Sequence, residues 1–206
     1  MYWSATHFPH LSISMVTVAL SFIGDFKSSS TGLGEMQGAF QLKDGRGVFL
    51  RDFEREDFEP LVDMFQGLSK EALRFGLPPY DRTRLERWTA NLDRDILLVA
   101  LDGKRVVGVA RIMGSALSGL KGIGTFITYI HQDYQNQGLG TQLTRSILEE
   151  ARKKEFHRVS LEVVAENTAA VRAYEKAGFV YEGRLKDTFY GEDGKYHDTL
   201  AMGIIL

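Results

Sequence analysis

A chain of 206 residues with 44% hydrophobic side chains suits one well-filled domain and an appendage better than two domains. Its 25 Lys and Arg face 27 Asp and Glu, a net charge of -2, so no overall field recruits nucleic acid or an acidic membrane surface. The absence of cysteine excludes disulfides, thiolate nucleophiles and cysteine metal sites, and it fits a cytoplasmic location.

The first element is the apolar run Leu11 to Ile23, too short to span a bilayer comfortably and interrupted by Ser and Thr. No Lys or Arg precedes it, so it lacks the basic flank of a signal peptide. It reads as a strand: Leu11, Ile13 and Met15 alternate, then Val16, Val18, Leu20 and Phe22 alternate on the other phase, as across a β-bulge. The alternative is a poorly ordered leader. Lys27 to Gly38 is rich in Ser and Gly and reads as a linker, which makes 1–38 an extension and 39–206 the domain.

Phe40–Leu42 and Val48–Leu50 flank Asp44-Gly45, a hairpin. Phe58, Leu61, Val62 and Phe65 lie on one helix face, with Asp57 as cap and Gly67 as stop. Ser69 and Asp81 can each open a short helix, the second with an apolar stripe of Leu85, Trp88 and Leu92. Ile96–Leu101 and Arg105–Met113 form a second hairpin around Asp102-Gly103. A glycine-dotted loop, Gly114 to Gly124, leads to a strand over Thr125–His131.

Next comes Gln135-Asn136-Gln137-Gly138-Leu139-Gly140, between that strand and a helix. Two glycines one residue apart let the backbone approach a charged ligand, and the helix start aims its unpaired N–H groups and positive dipole end at the same spot. A pyrophosphate suits such a place. A dinucleotide fingerprint needs a third small residue where Leu143 stands, and no Gly-Lys-Ser/Thr triplet exists for a nucleoside-triphosphate loop. The helix repeats Leu143, Ile147 and Ala151, with Glu149–Lys153 and Glu150–Lys154 as favourable i,i+4 pairs. Val159–Val164 is a strand. Asn167 caps a helix carrying Val171 and Tyr174 and closed by Gly178, and Phe179–Tyr181 and Leu200–Leu206 are final strands. These elements make an α/β or α+β single sheet. None of the five histidines pairs at metal-ligand spacing, so no metal is expected.

Gln135-x-x-Gly138-x-Gly140 followed by Asn167-x-x-Ala170-x-x-x-Tyr174-x-x-x-Gly178-Phe179 resembles the GNAT superfamily of N-acetyltransferases, over roughly Phe40 to Leu206. The upstream hairpin and the Leu68-Ser69 helix start look like its protein-lysine branch. The tail, Glu182-Gly183-Arg184-Leu185 through Gly194–Asp198, looks more like the ribosomal-protein and small-amine branches. The resemblance implies a mixed, mostly antiparallel sheet flanked by helices, with Thr125–His131 and Val159–Val164 as central parallel strands that splay apart.

It further implies acetyl-CoA as co-substrate. The backbone of Ile130, His131 and Gln132 would meet the pantetheine arm, and the Gln135 motif with amides of Gln137, Gly138, Leu139, Gly140, Thr141 and Gln142 would hold the pyrophosphate, with Asn167 and Tyr174 completing the site. Arg145 can reach a phosphate or stay solvated. The acceptor is a primary amine on a protein N-terminus, a lysine or a small molecule. A lysine amine has a pKa of about 10.4, so a base or water path must take its proton. Tyr174 stands where the family places the acid that protonates the leaving thiolate; without the resemblance it reads as a core-facing helix aromatic. Many members carry a Glu at about Thr125, which cannot serve. Glu162, out of phase with Val159, Leu161 and Val163, is the candidate base or else a structural strand glutamate. His131 lends backbone only, and His197, near Tyr190 and Tyr196, lines the acceptor site or a surface turn. Members often dimerise, and an apolar edge strand at 11–23 suits a homodimer. The competing readings are a degenerate acyl-CoA sensor, favoured by Thr125, and a nucleotide-binding regulator, disfavoured by the Asn167–Phe179 block.

Overall fold

A computed structural model describes residues 38–206. The expected strand at 11–23, the linker from Lys27 and the edge strand suited to a homodimer lie outside them, except that Gly38 is the first residue of β1. Eight strands form one sheet: β1 (Gly38–Gln41), β2 (Gly47–Asp52), β3 (Ile96–Asp102), β4 (Arg105–Gly114), β5 (Ile123–Ile130), β6 (Arg158–Val164), β7 (Val180–Tyr190) and β8 (Tyr196–Ile205). Their order is β1-β2-β3-β4-β5-β6-β8-β7, and every neighbouring pair is antiparallel except β5–β6. This is the mixed, mostly antiparallel sheet with two central parallel strands that the motifs imply.

The helices are α1 (Phe58–Gln66), α2 (Lys70–Leu73), α3 (Arg82–Thr89), α4 (Leu139–Lys153) and α5 (Thr168–Lys176). Strand side chains alternate between the two faces. On β3, Ile96, Leu98 and Ala100 join the core under α4 and α5, while Leu97, Val99 and Leu101 join the one under α1 and α3. On β5, Phe126 and Ile130 belong to the first core, and Ile127 and Tyr129 to the second. The predicted α4 stripe Leu143, Ile147 and Ala151 is fully buried. In the second core Arg111 and Asp95 form a buried ion pair, with Arg111 Nε donating to Asp95 Oδ2 at 3.2 Å and the guanidinium 5.4 Å from the Trp88 ring.

Ser69 and Asp81 cap as predicted, accepting from the amides of Ala72 (3.1 Å) and Arg84 (2.8 Å). Asp57 does not cap α1 with its side chain. Its carboxylate takes Arg51 (2.6 Å) and the Glu54 amide (2.8 Å), because a charged partner outbids an exposed helix amide. On α4 the ion pairs run i,i+3: Glu149–Arg152 at 2.9 Å and Glu150–Lys153 at 2.7 Å. Lys154 instead donates to the carbonyls of Leu92 and Asp95, both at 3.3 Å.

The two final strands are longer than the apolar pattern indicates. All of β7 except Gly183 and Phe189 is exposed, so no alternation marks it. Pairing with β8 makes it a strand, helped by ion pairs of Glu182 with Arg158 and of Arg184 with Asp198 (2.5 Å). No helix among the described residues is long and apolar enough to cross a membrane.

Candidate functional site

β5 and β6 pair only at Ile123–Arg158, Gly124–Val159 and Thr125–Ser160. Beyond that point each strand is held from its outer side alone, β5 by β4 as far as Ile130 and β6 by β8 as far as Val164. Two strand edges therefore face each other across a gap inside the sheet, an arrangement that leaves backbone groups ready for an extended ligand.

The loop from β5 to α4 closes one end of the gap. Asn136 (φ 68°) and Gly138 (φ 87°) are both left-handed, and Gly138 is the N-cap of α4. A Cβ added at Gly138 would meet Phe40 Cζ at 3.8 Å, an ordinary contact, so backbone conformation selects glycine here. The first bond into the helix is Gln142 N to Gly138 O at 3.2 Å. The amides of Leu139, Gly140 and Thr141 precede it and point out of the helix start with its positive dipole end. Gln135 Nε2 donates to Ile130 O at 3.1 Å and pins the loop to its strand. Gln132 bonds Gly67 O (2.9 Å) and the Ser69 amide (3.1 Å), tying the loop to the α1–α2 junction. Gln137 O accepts from the Lys43 amide at 3.4 Å. Arg145 is exposed one turn on.

His131 already uses both backbone groups: its amide donates to Val107 O (3.0 Å) and its carbonyl accepts from Tyr134 N (2.9 Å). That leaves less of Ile130–Gln132 open to a ligand than the resemblance implies. Its buried ring accepts from Arg105 Nη2 at 2.9 Å, which needs an unprotonated Nε2. Burial, then the charge of Arg105, holds His131 below the usual histidine range.

Glu162 lies on β6, the strand that borders the gap, and α5, which follows it, carries Asn167 as its N-cap and Tyr174. Asn167, 4% exposed, caps α5 through Oδ1 on the Ala170 amide (3.3 Å), and its Nδ2 is a buried donor with no partner among the described residues. Such a donor is costly unless something accepts from it. Tyr174 is fully buried on the α4–α5 side, edge-on to Phe126 (6.0 Å) and Phe179 (5.9 Å). Glu162 lies opposite Ala201, on the same face as Ser160 and Thr125 and opposite the face of Leu161 and Val163, as its phase requires. Its Oε2 accepts from Thr199 Oγ1 at 3.3 Å, and Thr199 meets Thr188 Oγ1 at 2.7 Å. Thr125 sits in the last pair before the strands part.

Apart from His197, sequence reasoning did not reach the rest of the α1 side. A cavity of about 340 Å³ is lined by Lys70, Glu71, Arg74, Phe75, Phe189 and the β7–β8 turn with His197. His197 bridges Asp193 (3.0 Å) and Glu166 (3.3 Å), and these two bonds hold it above the usual histidine range. Beside the gap, the buried Tyr129 hydroxyl meets that of Tyr80 at 2.5 Å. Burial pushes both phenols up, Tyr129 well above the usual tyrosine range. No local pattern signals these contacts; only the tyrosines' presence on apolar elements could have drawn notice. Among the described residues no three His, Asp or Glu side chains cluster as metal ligands.

Comparison with known proteins points the same way. The chain is 33% identical over 75 residues to the [ribosomal protein bS18]-alanine N-acetyltransferase of Escherichia coli (strain K12), covering 36% of this chain and 50% of that protein. It is 33% identical over 90 residues to the spermidine N(1)-acetyltransferase of Vibrio cholerae, covering 38% and 51%. The chain thus spans about half the length of the curated relatives it matches. A GNAT-family acetyltransferase structure from Streptococcus pneumoniae superposes with a TM-score of 0.65 at 27% identity, covering 77% of this chain and 99% of that one. The family model described as acetyltransferase (GNAT) family matches residues 61–179, which run from within α1 through the loop and the gap to just beyond α5. With more than half its length matched, the chain belongs to the acetyltransferase (GNAT) family.

Proposed function

We propose that this protein transfers an acetyl group from acetyl-CoA to a primary amine by direct attack. One observation carries the reading. The strands β5 and β6 part beside the N-terminus of α4, Glu162 lies on β6, and Asn167, the N-cap of the α5 that follows, carries a buried donor with no partner among the described residues. The open amides of Leu139 to Thr141 suit a pyrophosphate, and Asn167 Nδ2 suits a carbonyl of the pantetheine arm. Gln137, Gln142 and the backbone around Ile130 complete this donor side.

On the α1 side, Glu162 takes a proton from the acceptor ammonium, directly or through one water. The amine nitrogen attacks the thioester carbonyl, the C–N bond forms and the C–S bond breaks. Tyr174, on the α4–α5 side, gives its phenolic proton to the departing thiolate, and the surplus proton shed by the new amide nitrogen returns through water to the phenolate. The acceptor enters through the cavity between α2 and the β7–β8 turn, where Phe75 and Phe189 offer apolar walls and Lys70, Glu71, Arg74, Glu192 and Asp193 offer groups of both charges. The relatives named for a protein N-terminus and for a polyamine support an amine acceptor of either kind.

The reading is tested with purified protein, acetyl-CoA and a panel of N-terminal peptides, lysine peptides and small amines, with products identified by mass spectrometry. An acetylated amine and stoichiometric free CoA are expected. Tight acetyl-CoA binding with no product from any amine would replace this reading by the acyl-CoA sensor, which Thr125, in place of a strand acid, favours.

A further inference from the structure

The segment between α2 and α3 touches both banks of the gap. Leu77 and Phe75 pack on Val164 of β6 and Phe189 of β7. Tyr80 bonds Tyr129 of β5, hydroxyl to hydroxyl, at 2.5 Å. Continuing the register of the last pair, Thr125–Ser160, by four residues on each strand sets Tyr129 opposite Val164. The segment therefore crosses the gap on the α1 face at one height, four residues beyond the point of parting.

Only one end of this crossing is polar, and it is tightly built. The Tyr80 hydroxyl also accepts from the Leu77 amide at 2.7 Å, so the turn closes on itself at the atom that reaches β5. Arg84 of α3 lies 4.6 Å from the Tyr80 ring and donates to the carbonyls of Leu77 and Pro79, the latter at 3.1 Å. Phe65 of α1 stacks on Tyr80 at 4.8 Å and meets Tyr129 at 5.1 Å. The other end is apolar and non-directional.

We infer that the Tyr80–Tyr129 hydroxyl pair is a latch that holds the 75–80 segment across the gap and so positions the Phe75 wall for the acceptor. Both are positioning residues: they act on the acceptor through Phe75 and Leu77. The inference rests on the proposed function for its kinetic readout, but its structural readout is independent.

Y129F, Y80F and the double variant each keep the rings and lose hydroxyls, so the aromatic packing stays. The expected result is an acceptor KM raised about fivefold or more, kcat changed less than twofold, and acetyl-CoA affinity within twofold of the parent. The double variant is expected to be no worse than Y80F, since the pair is one bond. Additive losses, or kcat falling while KM holds, would overturn the latch. Hydrogen exchange in the unliganded protein provides the second measurement. The Leu77 amide is expected to exchange at least tenfold faster in Y129F; unchanged exchange overturns the latch even if no amine is ever acetylated. Absence of acetyl-CoA binding in the parent protein, by contrast, counts against the proposed function alone.

Discussion

The loop before α4 and the cavity beside α2 flank one gap but are built from different materials. The loop is mostly backbone: two left-handed residues, a row of helix-start amides and glutamine side chains that bond backbone. The cavity is mostly side chains from α2, the segment behind it, β7 and β8. Backbone groups are the same in every sequence, so a site made from them needs only the right turn and suits a constant ligand. Side chains vary, and a site made from them suits the partner that differs from one protein to another. The contrast teaches where to look for what sets acceptor choice: Phe75, Phe189 and the carboxylates around them.

The largest expected effect strikes the backbone side. Gly138→Val forces a β-branched residue into φ 87° and should weaken acetyl-CoA binding at least a hundredfold, read by calorimetry on protein shown folded by circular dichroism. Gly138→Asn, which tolerates that conformation better, should lose clearly less. Equal losses would mean that space rather than backbone angle selects glycine. Tyr174→Phe comes next: kcat should fall about a hundredfold or more with acetyl-CoA affinity kept, since only the proton donor is removed. Parallel loss of affinity would return Tyr174 to a packing role beside Phe126 and Phe179.

On the side-chain face, Glu162→Gln should lower kcat/KM about tenfold or more and flatten its rise with pH, because a base works only when deprotonated. A rate profile of unchanged shape would remove Glu162 as base and leave it a partner of Thr199. The smallest effect concerns His197. Its folded pKa is raised by Asp193 and Glu166, so its contribution to the hairpin is complete below the unfolded value of about 6.5 and is lost as pH rises through the folded one. Protection of the Gly191–Lys195 turn against hydrogen exchange, corrected for the intrinsic rate, should therefore be greater at about pH 6 than at a pH above the raised folded value. In His197→Gln that pH dependence should vanish; a wild-type turn equally protected at both pH values would show that the bridge contributes nothing.

The same contrast explains what was legible in the sequence. Gly138, the left-handed N-cap, and Gly178, left-handed after α5, are local demands on φ, and local demands leave residue-level marks. The caps Ser69, Asp81 and Asn167 are read for the same reason, as is the phase of Glu162 on β6. Asp57 misled because its best partner, Arg51, is set by β2 packing rather than by the helix it precedes. β7 escaped because it buries almost nothing, and its pairing with β8 is non-local. Tyr80 and Tyr129 stand 49 positions apart, and nothing within either segment announces the other.

Among the described residues, the three residue pairs between β5 and β6 are also the only strand pairing between two half-sheets, one of five strands and one of three. Mechanically that junction is a pivot at one end of a pair of tongs. Few backbone hydrogen bonds of the sheet itself oppose twisting about it. Anything bridging the open end, whether an extended ligand or the segment behind α2, stiffens the whole sheet.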